Sequence, residues 1–217
     1  MKKVYISMGP PGCGKGTQTA HLADFLKIPH IDTGALLRAE IAAETPDGIE
    51  AKRKIDKGQL VPVELVGRVI KNRLLKEDAQ NGYILDGFPR SMEQTKILER
   101  IQEEIGLDVQ NVAFYFDIEN HALVERLVNR RSCPVCGKIY NIISNKPKVE
   151  GKCDIEGADL IQRTDDNEET AKLRFITYEE QTKPILDYFR SKGILHTINA
   201  DQSIEAVWEE IKEFIVD

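Results

Sequence analysis

A short apolar run and the glycine-rich loop after it decide the fold: Val4-Tyr5-Ile6-Ser7-Met8, then Gly9-Pro10-Pro11-Gly12-Cys13-Gly14-Lys15-Gly16-Thr17. The spacing from Gly9 to Gly14-Lys15 is that of a phosphate-binding loop between a strand and a helix. Glycines let backbone N–H groups converge on an anion, the helix N-terminus adds its dipole, and Lys15 reaches the outer phosphates. The alternative is a glycine-rich turn with a surface lysine, and the strand–loop–helix context argues against it.

The position after the lysine departs from the usual loop, which has Ser or Thr there to hold Mg²⁺. Gly16 occupies this position, and Thr17 comes one residue later. We therefore expect phosphate oxygens and water to hold most of the metal. Asp86, at the end of a later strand, is placed to orient one of those waters.

Short apolar runs alternate with amphipathic segments along the rest of the chain. The runs predict buried strands at residues 4–8, 83–85, 112–116 and 194–198. Helical periodicity marks residues 63–75, 91–105, 122–131, 168–189 and 204–215. Continuous apolar strands separated by helices predict an α/β fold with a doubly wound parallel sheet.

Two segments interrupt this alternation. Residues 33–61 carry helical patterns but no strand pattern and end near Gly58 and Pro62, which indicates a helical insertion. Residues 132–164 are rich in Cys, Gly, Pro, Asn and Lys and lack a helical period. They predict a small irregular subdomain that needs an additional constraint to fold.

Composition narrows the functional class. The chain has 217 residues, of which 41% are hydrophobic and 30% are charged, as is typical of a globular domain. A net charge of −6 gives no overall positive field toward nucleic acid or anionic lipid, so neither is an expected partner. No window reaches the apolar length of a membrane span or a signal peptide, and three clustered cysteines suit a reducing compartment. We expect a cytoplasmic monomer.

Six stretches of the sequence resemble those of adenylate kinases, in the same order along the chain. They are residues 9–18, 32–38, 58–62, 85–90 with Gln94, Arg126 with Arg130-Arg131, and Arg163 with Asp165-Asp166 and Arg174. The resemblance covers the whole chain, and the length of residues 131–164 is similar to that of the long-lid, zinc-type branch. It implies reversible phosphoryl transfer from Mg-ATP to AMP, which gives two ADP and maintains the balance of adenine nucleotides.

The same resemblance implies a division of the chain. A phosphate-loop kinase core would comprise residues 1–31, 62–130 and 168–217. Residues 32–61 would form an AMP-binding insertion, and residues 131–167 a lid with a zinc site.

The resemblance also implies roles for individual residues. The ATP-binding residues would be Gly12, Cys13, Gly14, Lys15, Gly16, Thr17, Arg126, Arg130, Ile139 and Tyr140. The AMP-binding residues would be Thr33, Arg38, Gln59, Leu60, Val61, Gly87, Phe88, Pro89, Arg90, Gln94, Arg163 and Arg174. The catalytic residues would be Lys15, Asp86, Arg90, Arg130, Arg163 and Arg174. Arginine suits these roles because its guanidinium binds phosphate in a bidentate fork and keeps its charge.

Some of these positions have a second interpretation. Ser91-x-x-Gln94 is also a capping box, so Gln94 either reads the adenine edge or caps a helix. Asp166 with Glu169 likewise fits a helix cap. Ala200-Asp201-Gln202 stands where many relatives have a glycine that contacts adenine, and no nucleotide contact is predicted there.

The cysteine-rich segment predicts a structural zinc ion. Cys133-Pro134-Val135-Cys136 is a tight knuckle that points both sulfurs at one centre. The resemblance places a second knuckle at Cys153, whose partner three residues on would be Cys or Asp in relatives and is Glu156 here. The predicted ligands are Cys133, Cys136, Cys153 and Glu156. Asp154 is a rival fourth ligand, and a metal-free lid held by hydrogen bonds is the alternative.

Three other functions compete with this interpretation. A UMP/CMP kinase would typically have a short lid. A phosphate-loop NTPase switch would want Ser or Thr in place of Gly16. A zinc ribbon on RNA needs a basic, aromatic face, but residues 132–164 mix lysines with acidic residues, and Tyr140 is their only aromatic residue.

Overall fold

A parallel β-sheet forms the centre of the computed structural model, which describes residues 1–119 and 123–215. The strands are β1 (Lys2–Met8), β2 (His30–Asp32), β3 (Tyr83–Asp86), β4 (Val109–Asp117), β5 (Arg130–Ser132), β6 (Ile139–Asn141) and β7 (Leu195–Asn199). Five of them form the central sheet in the order β2-β3-β1-β4-β7, and every pairing in it is parallel. The other two, β5 and β6, form a separate antiparallel pair.

Helices connect the strands of the sheet. They are α1 (Lys15–Leu26), α2 (Thr33–Ala42), α3 (Pro46–Ile55), α4 (Val63–Leu74), α5 (Met92–Glu104), α6 (Leu123–Val128), α7 (Glu168–Thr177), α8 (Pro184–Ser191) and α9 (Ile204–Glu213). Short polar side chains begin five of them by accepting a backbone N–H: Asp32, Thr45, Ser91, Asn167 and Ser203. Among the described residues, none of the helices has the length and apolar character to cross a bilayer.

Both faces of the sheet are covered. Along β1, Val4, Ile6 and Met8 point into a hydrophobic cluster that includes residues of α4, α5 and α8. Tyr5 points to the opposite cluster, which includes residues of α1 and α9. This alternation of buried side chains on two covered faces confirms the prediction of a doubly wound α/β fold.

Three elements differ from the sequence predictions. β2 spans only three residues, too few for a periodic pattern to show. The helix predicted at residues 122–131 ends at Val128, because residues 130–132 pair with β6 instead; residue 122 lies outside the described residues. The helix predicted at residues 168–189 is interrupted by a π-helical turn, Tyr178–Thr182, just before Pro184, which has no N–H to continue the ladder.

The segment around β5 and β6 has little core of its own. Its hydrophobic cluster consists of the buried Cys133, Tyr140 and Cys153, with Ala158 and Leu160 packed against them. Single backbone bridges, such as Ser132 to Ile161, hold the rest of it.

Candidate active site

The loop after β1 leads into α1 without a side-chain cap at the helix N-terminus. Gly14 caps this helix with φ 92° and no side-chain hydrogen bond, and Gly12 has φ 86°. Both lie in the left-handed region that favours glycine. The Lys15 ammonium folds over the loop toward the carbonyls of Pro10 (3.4 Å) and Gly9 (3.5 Å). The first N–H groups of α1 and this ammonium therefore surround a place suited to an anion.

Gly16 lets two other parts of the molecule approach the loop. A Cβ at this position would lie 3.2 Å from Ile139 Cδ1 and 3.4 Å from an Asp86 carboxylate oxygen. The small residue thus brings β6 and the end of β3 against the phosphate loop.

Asp86 is the buried carboxylate of this cleft. One oxygen accepts from Ser7 Oγ at 3.2 Å, and the other is 3.3 Å from both Thr19 Oγ1 and His30 Nε2. Burial alone raises the pKa of Asp86, but the His30 hydrogen bond and the charges of Lys15, His30 and Arg90 outweigh burial and lower it. The carboxylate is therefore ionised at neutral pH.

The cleft is about 620 Å³ in volume and is locally positive, since seven basic and four acidic side chains line it in a chain of net charge −6. The basic residues are Lys15, Arg38, Arg90, Arg126, Arg130, Arg163 and Arg174. The acidic residues are Asp32, Asp86, Asp165 and Glu205.

Two adjacent aspartates orient the arginines at the base of the cleft. Asp166, which is 1% exposed, accepts two hydrogen bonds from Arg130 at 2.8 and 2.5 Å. Arg174 donates to Asp165 at 2.9 Å. Asp166 does not cap α7, because Asn167 does.

Burial and the positive charges of neighbouring arginines both lower the pKa values of two arginines in the cleft, Arg163 and Arg174. Burial, together with repulsion from Arg130 and Arg38, lowers the pKa of Arg163 to about 10. For Arg174, burial and the repulsion from Arg130 and Arg90 outweigh the attraction of Asp165 and lower the pKa to about 10. Both arginines stay charged at neutral pH, and a bound anion would reduce the repulsion between the positive charges in the site.

The loop after β3 folds around Arg90. Gly87 has φ 79°, and a Cβ there would lie 2.7 Å from an Arg90 guanidinium nitrogen. Arg90 Nε donates to the Gly87 carbonyl at 2.8 Å, and Arg90 N donates to Gln94 Oε1 at 2.8 Å. Ser91 caps α5 by accepting from Gln94 N at 3.2 Å. The backbone N–H of Gln94 therefore takes part in the helix cap, its side chain accepts from Arg90 N, and the residue also lines the cleft.

Polar groups at and near the start of α2 also line the cleft. Arg38 Nη2 lies 3.3 Å from Asp32 Oδ2. The Thr33 hydroxyl is buried without a hydrogen-bond partner among the described residues. A buried hydroxyl of this kind is suited to a ligand atom.

Three thiols meet in the small segment around β5 and β6. Each of Cys133, Cys136 and Cys153 has its sulfur within 4.8 Å of the others. Two sulfurs at about 2.3 Å from a tetrahedral zinc would lie about 3.8 Å apart, and Cys136 Sγ is 3.6 Å from Cys153 Sγ. Burial raises the pKa of Cys153, but hydrogen bonds from the Tyr140 hydroxyl and nearby backbone N–H groups outweigh burial and lower it to about 6. The thiol set fits a zinc ion.

Two turns of this segment repeat one hydrogen-bond pattern. In each, the N–H of the leading cysteine donates to the carbonyl five residues on, at 2.9 Å. The cysteine carbonyl accepts from a glycine four residues on, at 3.1 Å after Cys133 and 2.9 Å after Cys153. Those glycines, Gly137 and Gly157, have φ of 75° and 66°.

Comparison with known proteins gives a concordant result. The family model described as adenylate kinase matches residues 7–194. The adenylate kinases of Bacillus velezensis and Bacillus subtilis are 45% and 44% identical to this chain, over 97% of it and 96% of each relative. That of Thermosipho africanus is 42% identical, over 97% of this chain and 98% of its own.

The chain belongs to the adenylate kinase family. This confirms the family resemblance, the phosphate-loop kinase fold and an enzyme that transfers a phosphoryl group between ATP and AMP. The substrates are ATP, AMP and ADP.

The structure brings nearly all the nucleotide-binding residues predicted from the adenylate kinase resemblance to one cleft. The exception is Phe88, which does not line it; its side chain is 1% exposed and packs in the hydrophobic core. Phe88 therefore supports the loop from beneath.

Several residues in the cleft or directly behind it were not predicted from the sequence. His30 and Thr19 contact Asp86, yet His30 lies on a strand too short to predict and Thr19 reads as an ordinary helix residue. Ala200 and Gln202 line the cleft although no contact was predicted there. Their position at the carboxyl end of β7, the edge where such sheets bind ligands, was the usable signal.

Proposed function

We propose that this cleft transfers the terminal phosphoryl group of ATP reversibly to AMP, with ATP on the α1 side and AMP on the α2 and Arg90 side. The observation that supports it is the convergence of seven basic side chains on one cleft that the phosphate loop, α2 and the Arg90 loop all line. Phosphoryl transfer needs in-line positioning and cations around the charged oxygens, and little covalent chemistry from the protein.

On the donor side, the phosphate loop holds the ATP phosphates. Backbone N–H groups from Gly12 to Thr17 and the Lys15 ammonium bind the oxygens, in keeping with the left-handed glycines and the uncapped start of α1. Arg126 and Arg130 approach from the lid side, and Ile139 and Tyr140 cover the base and ribose. All of these residues line the cleft.

On the acceptor side, Arg38 and Arg90 bind the AMP phosphate, and the backbone of Gln59, Leu60 and Val61 borders the adenine. Thr33 offers its unpaired hydroxyl to the nucleotide. Gly87 and Pro89 shape the loop, with Phe88 beneath it.

Gln94 selects the acceptor base. Its amide oxygen is occupied by Arg90 N, which leaves the amide nitrogen to donate to the cleft. Adenine presents an acceptor at N1, whereas guanine N1 and uracil N3 carry hydrogen and would leave two donors facing each other. A buried donor without a partner disfavours those bases.

Arg130, Arg163 and Arg174 stabilise the transferred group. Asp165 and Asp166 hold two of them in fixed orientations by the hydrogen bonds described above. Closure of the lid residues over the loop excludes water, which would otherwise accept the phosphoryl group.

Mg²⁺, when bound, neutralises charge on the phosphate oxygens of ATP. The ionised Asp86 fits the orientation of its water ligands, because the carboxylate borders the cleft beside Gly16 and Lys15. Because Gly16 stands where other loops have Ser or Thr, phosphate oxygens and water would supply the ligands of the ion.

Cys133, Cys136, Cys153 and Glu156 would hold a structural zinc ion between the two turns of the lid. The turns share one backbone pattern, and Glu156 stands in the second turn where Cys136 stands in the first. Its carboxylate does not lie within 4.8 Å of all three sulfurs in this structure, so the side chain would have to turn toward them to bind the metal. Asp154 is the poorer candidate, because one oxygen accepts from Lys148 N at 2.8 Å and the other lies 3.7 Å from Lys138 Nζ. A carboxylate in place of a thiolate keeps the charge of the ligand set.

The proposal keeps the division predicted from the sequence: a core of residues 1–31, 62–130 and 168–217, an AMP-binding insertion of residues 32–61, and a lid of residues 131–167. It also keeps a cytoplasmic monomer without nucleic-acid or membrane partners, in accord with the net charge of −6 and the clustered thiols.

A coupled assay that offers ATP and Mg²⁺ with AMP, UMP, CMP or GMP tests this proposal. We expect ADP from AMP at the highest kcat/KM, and none without Mg²⁺. Faster turnover of UMP or CMP would assign the enzyme to the pyrimidine nucleotides instead. Phosphate release without an acceptor would indicate a hydrolytic switch.

A further inference from the structure

The π-helical turn Tyr178–Thr182 and the residue before it contact two parts of the proposed AMP site: the loop that carries Arg90 and the end of the insertion at Gly58. Lys183 N donates to the Tyr178 carbonyl at 2.9 Å, the five-residue spacing of a π-turn. Thr177 and Thr182 are also five residues apart, so the widened turn sets them one turn from each other. π-turns inside α-helices are frequent at functional sites.

Thr182 reaches the loop that carries Arg90. Its hydroxyl donates to the Arg90 carbonyl at 2.9 Å, across 92 positions of sequence, and the residue is 7% exposed. The Gln94 side chain accepts from the N–H of Arg90, and the Gly87 carbonyl accepts from its Nε, both from within four residues of Arg90. Thr182 ties the same residue to a distant part of the chain.

Thr177 reaches the end of the α2–α3 insertion. Its hydroxyl lies 3.0 Å from the carbonyls of Gly58 and Leu173. Gly58 has φ 66°, and a Cβ there would lie 3.0 Å from Leu173 Cβ and 3.3 Å from the Thr170 carbonyl. Helix α7 therefore packs closely against the backbone just before Gln59.

We propose that Thr182, with Thr177 in a secondary role, is a positioning residue for the AMP site. The two hydroxyls fix the Arg90 loop and the Gly58 end of the insertion to one rigid turn, and so to each other. The inference rests on the proposed assignment of Arg90 and residues 59–61 to AMP. Both threonines also line the cleft, and the role proposed for them is to hold backbone carbonyls, not to transfer a proton.

The effect falls on AMP because the donor loop makes neither contact. A neutral hydrogen bond changes an equilibrium constant by roughly tenfold at most. Thr182→Val removes the hydroxyl and keeps the shape, so we expect KM for AMP to rise about 5- to 10-fold, with KM for ATP changed by less than about twofold. Thr177→Val should raise KM for AMP by about two- to threefold, since its hydroxyl is shared between two carbonyls.

The experiment is steady-state kinetics with each nucleotide varied in turn, accompanied by thermal melts of every variant. Thr182→Ser restores the hydroxyl and should recover the KM for AMP. Tyr188→Phe is the matched control, because it removes a hydroxyl bond of 2.7 Å between α8 and Glu99 of α5, outside the cleft. It should leave both KM values unchanged.

An unchanged KM for AMP in Thr182→Val, an equal rise in both KM values, or failure of Thr182→Ser to recover it would overturn the inference. If Thr182→Val does not fold, Thr177→Val provides the test: a rise in KM for AMP without a rise in KM for ATP supports the inference, and its absence overturns it. Arg90→Ala is measured alongside. If Arg90→Ala left the AMP kinetics intact, the acceptor assignment itself would fall, whatever the threonine variants do.

Discussion

The nucleotide cleft and the cysteine-rich lid are stabilised in different ways. The cleft lies at the ends of strands whose side chains, such as Val4, Ile84 and Leu85, are fully buried between two layers of helices. In the lid, the most buried residues include two proposed metal ligands, while Val135 and Ile155 are 67% and 65% exposed.

This difference separates stability from catalysis. Around the cleft, apolar burial supplies the stability, and the charged groups are arranged for the ligand. The lid buries too few apolar groups to order itself, so a bound metal would contribute its binding energy as folding energy. Damage to the cleft should lower the rate with little effect on stability, and damage to the zinc site should do the reverse.

The largest expected effect is in the cleft. Lys15→Ala or Arg90→Ala should lower kcat/KM by at least about 100-fold, since each removes a charge-assisted contact worth roughly 1.5–3 kcal/mol or more in a closed site. Steady-state assays with ATP and AMP measure it. Arg131→Ala is the control and should change little, because its guanidinium donates to the Val128 and Arg130 carbonyls. Equal losses in all three variants would mean that the cations act without specific placement.

Removal of zinc tests the other half of the comparison. Metal analysis should find one zinc per chain. Zinc at about 100 times its Kd contributes about 2.7 kcal/mol, and a chain of this size gains roughly 2–4 °C in Tm per kcal/mol. A chelator should therefore lower Tm by about 5–10 °C. A melt that is insensitive to both chelator and added zinc would show that the lid folds without metal.

The identity of the fourth zinc ligand can be tested with a neighbouring pair of residues. Glu156→Ala should raise the Kd for zinc by at least about 10-fold, since loss of even an outer-shell partner costs 10- to 100-fold. Asp154→Ala should have the smaller effect, because its carboxylate already bonds Lys148 N. Competition with a chromogenic chelator gives both values, and the reverse ranking would assign the site to Asp154.

The smallest expected effect is the pH dependence of His30. Burial lowers the pKa of His30, but the hydrogen bond and charge of Asp86 outweigh burial and raise it. The contribution of protonated His30 to the stability of the folded protein is therefore complete below the ordinary histidine pKa of about 6.5. It is lost as pH rises through the folded-state pKa. His30→Gln should lower Tm more at about pH 6 than at about pH 9. His21→Gln is the control, because the His21 ring packs on Trp208. A loss of Tm in His30→Gln that grows as pH rises would contradict the pairing of His30 with Asp86.

The sequence predicted the cleft better than the lid. The phosphate loop, the Arg90 loop and the paired aspartates are short motifs with fixed spacing, and the structure brings them together. β2, the π-turn and the contacts of His30 depend on tertiary packing, which leaves no periodic pattern in three to five residues. Glu156 could be proposed from spacing alone, but the repeated hydrogen-bond pattern of the two turns is visible only in three dimensions.

The separation of catalysis from stability is tested most directly by measuring Tm and kcat/KM for AMP in parallel for Arg90→Ala and Glu156→Ala, at moderate temperature with limiting zinc. We predict that Arg90→Ala loses at least about 100-fold in kcat/KM with little change in Tm. Glu156→Ala should lose several degrees in Tm and keep kcat/KM within about threefold. Parallel losses of rate and stability in both variants would contradict this account.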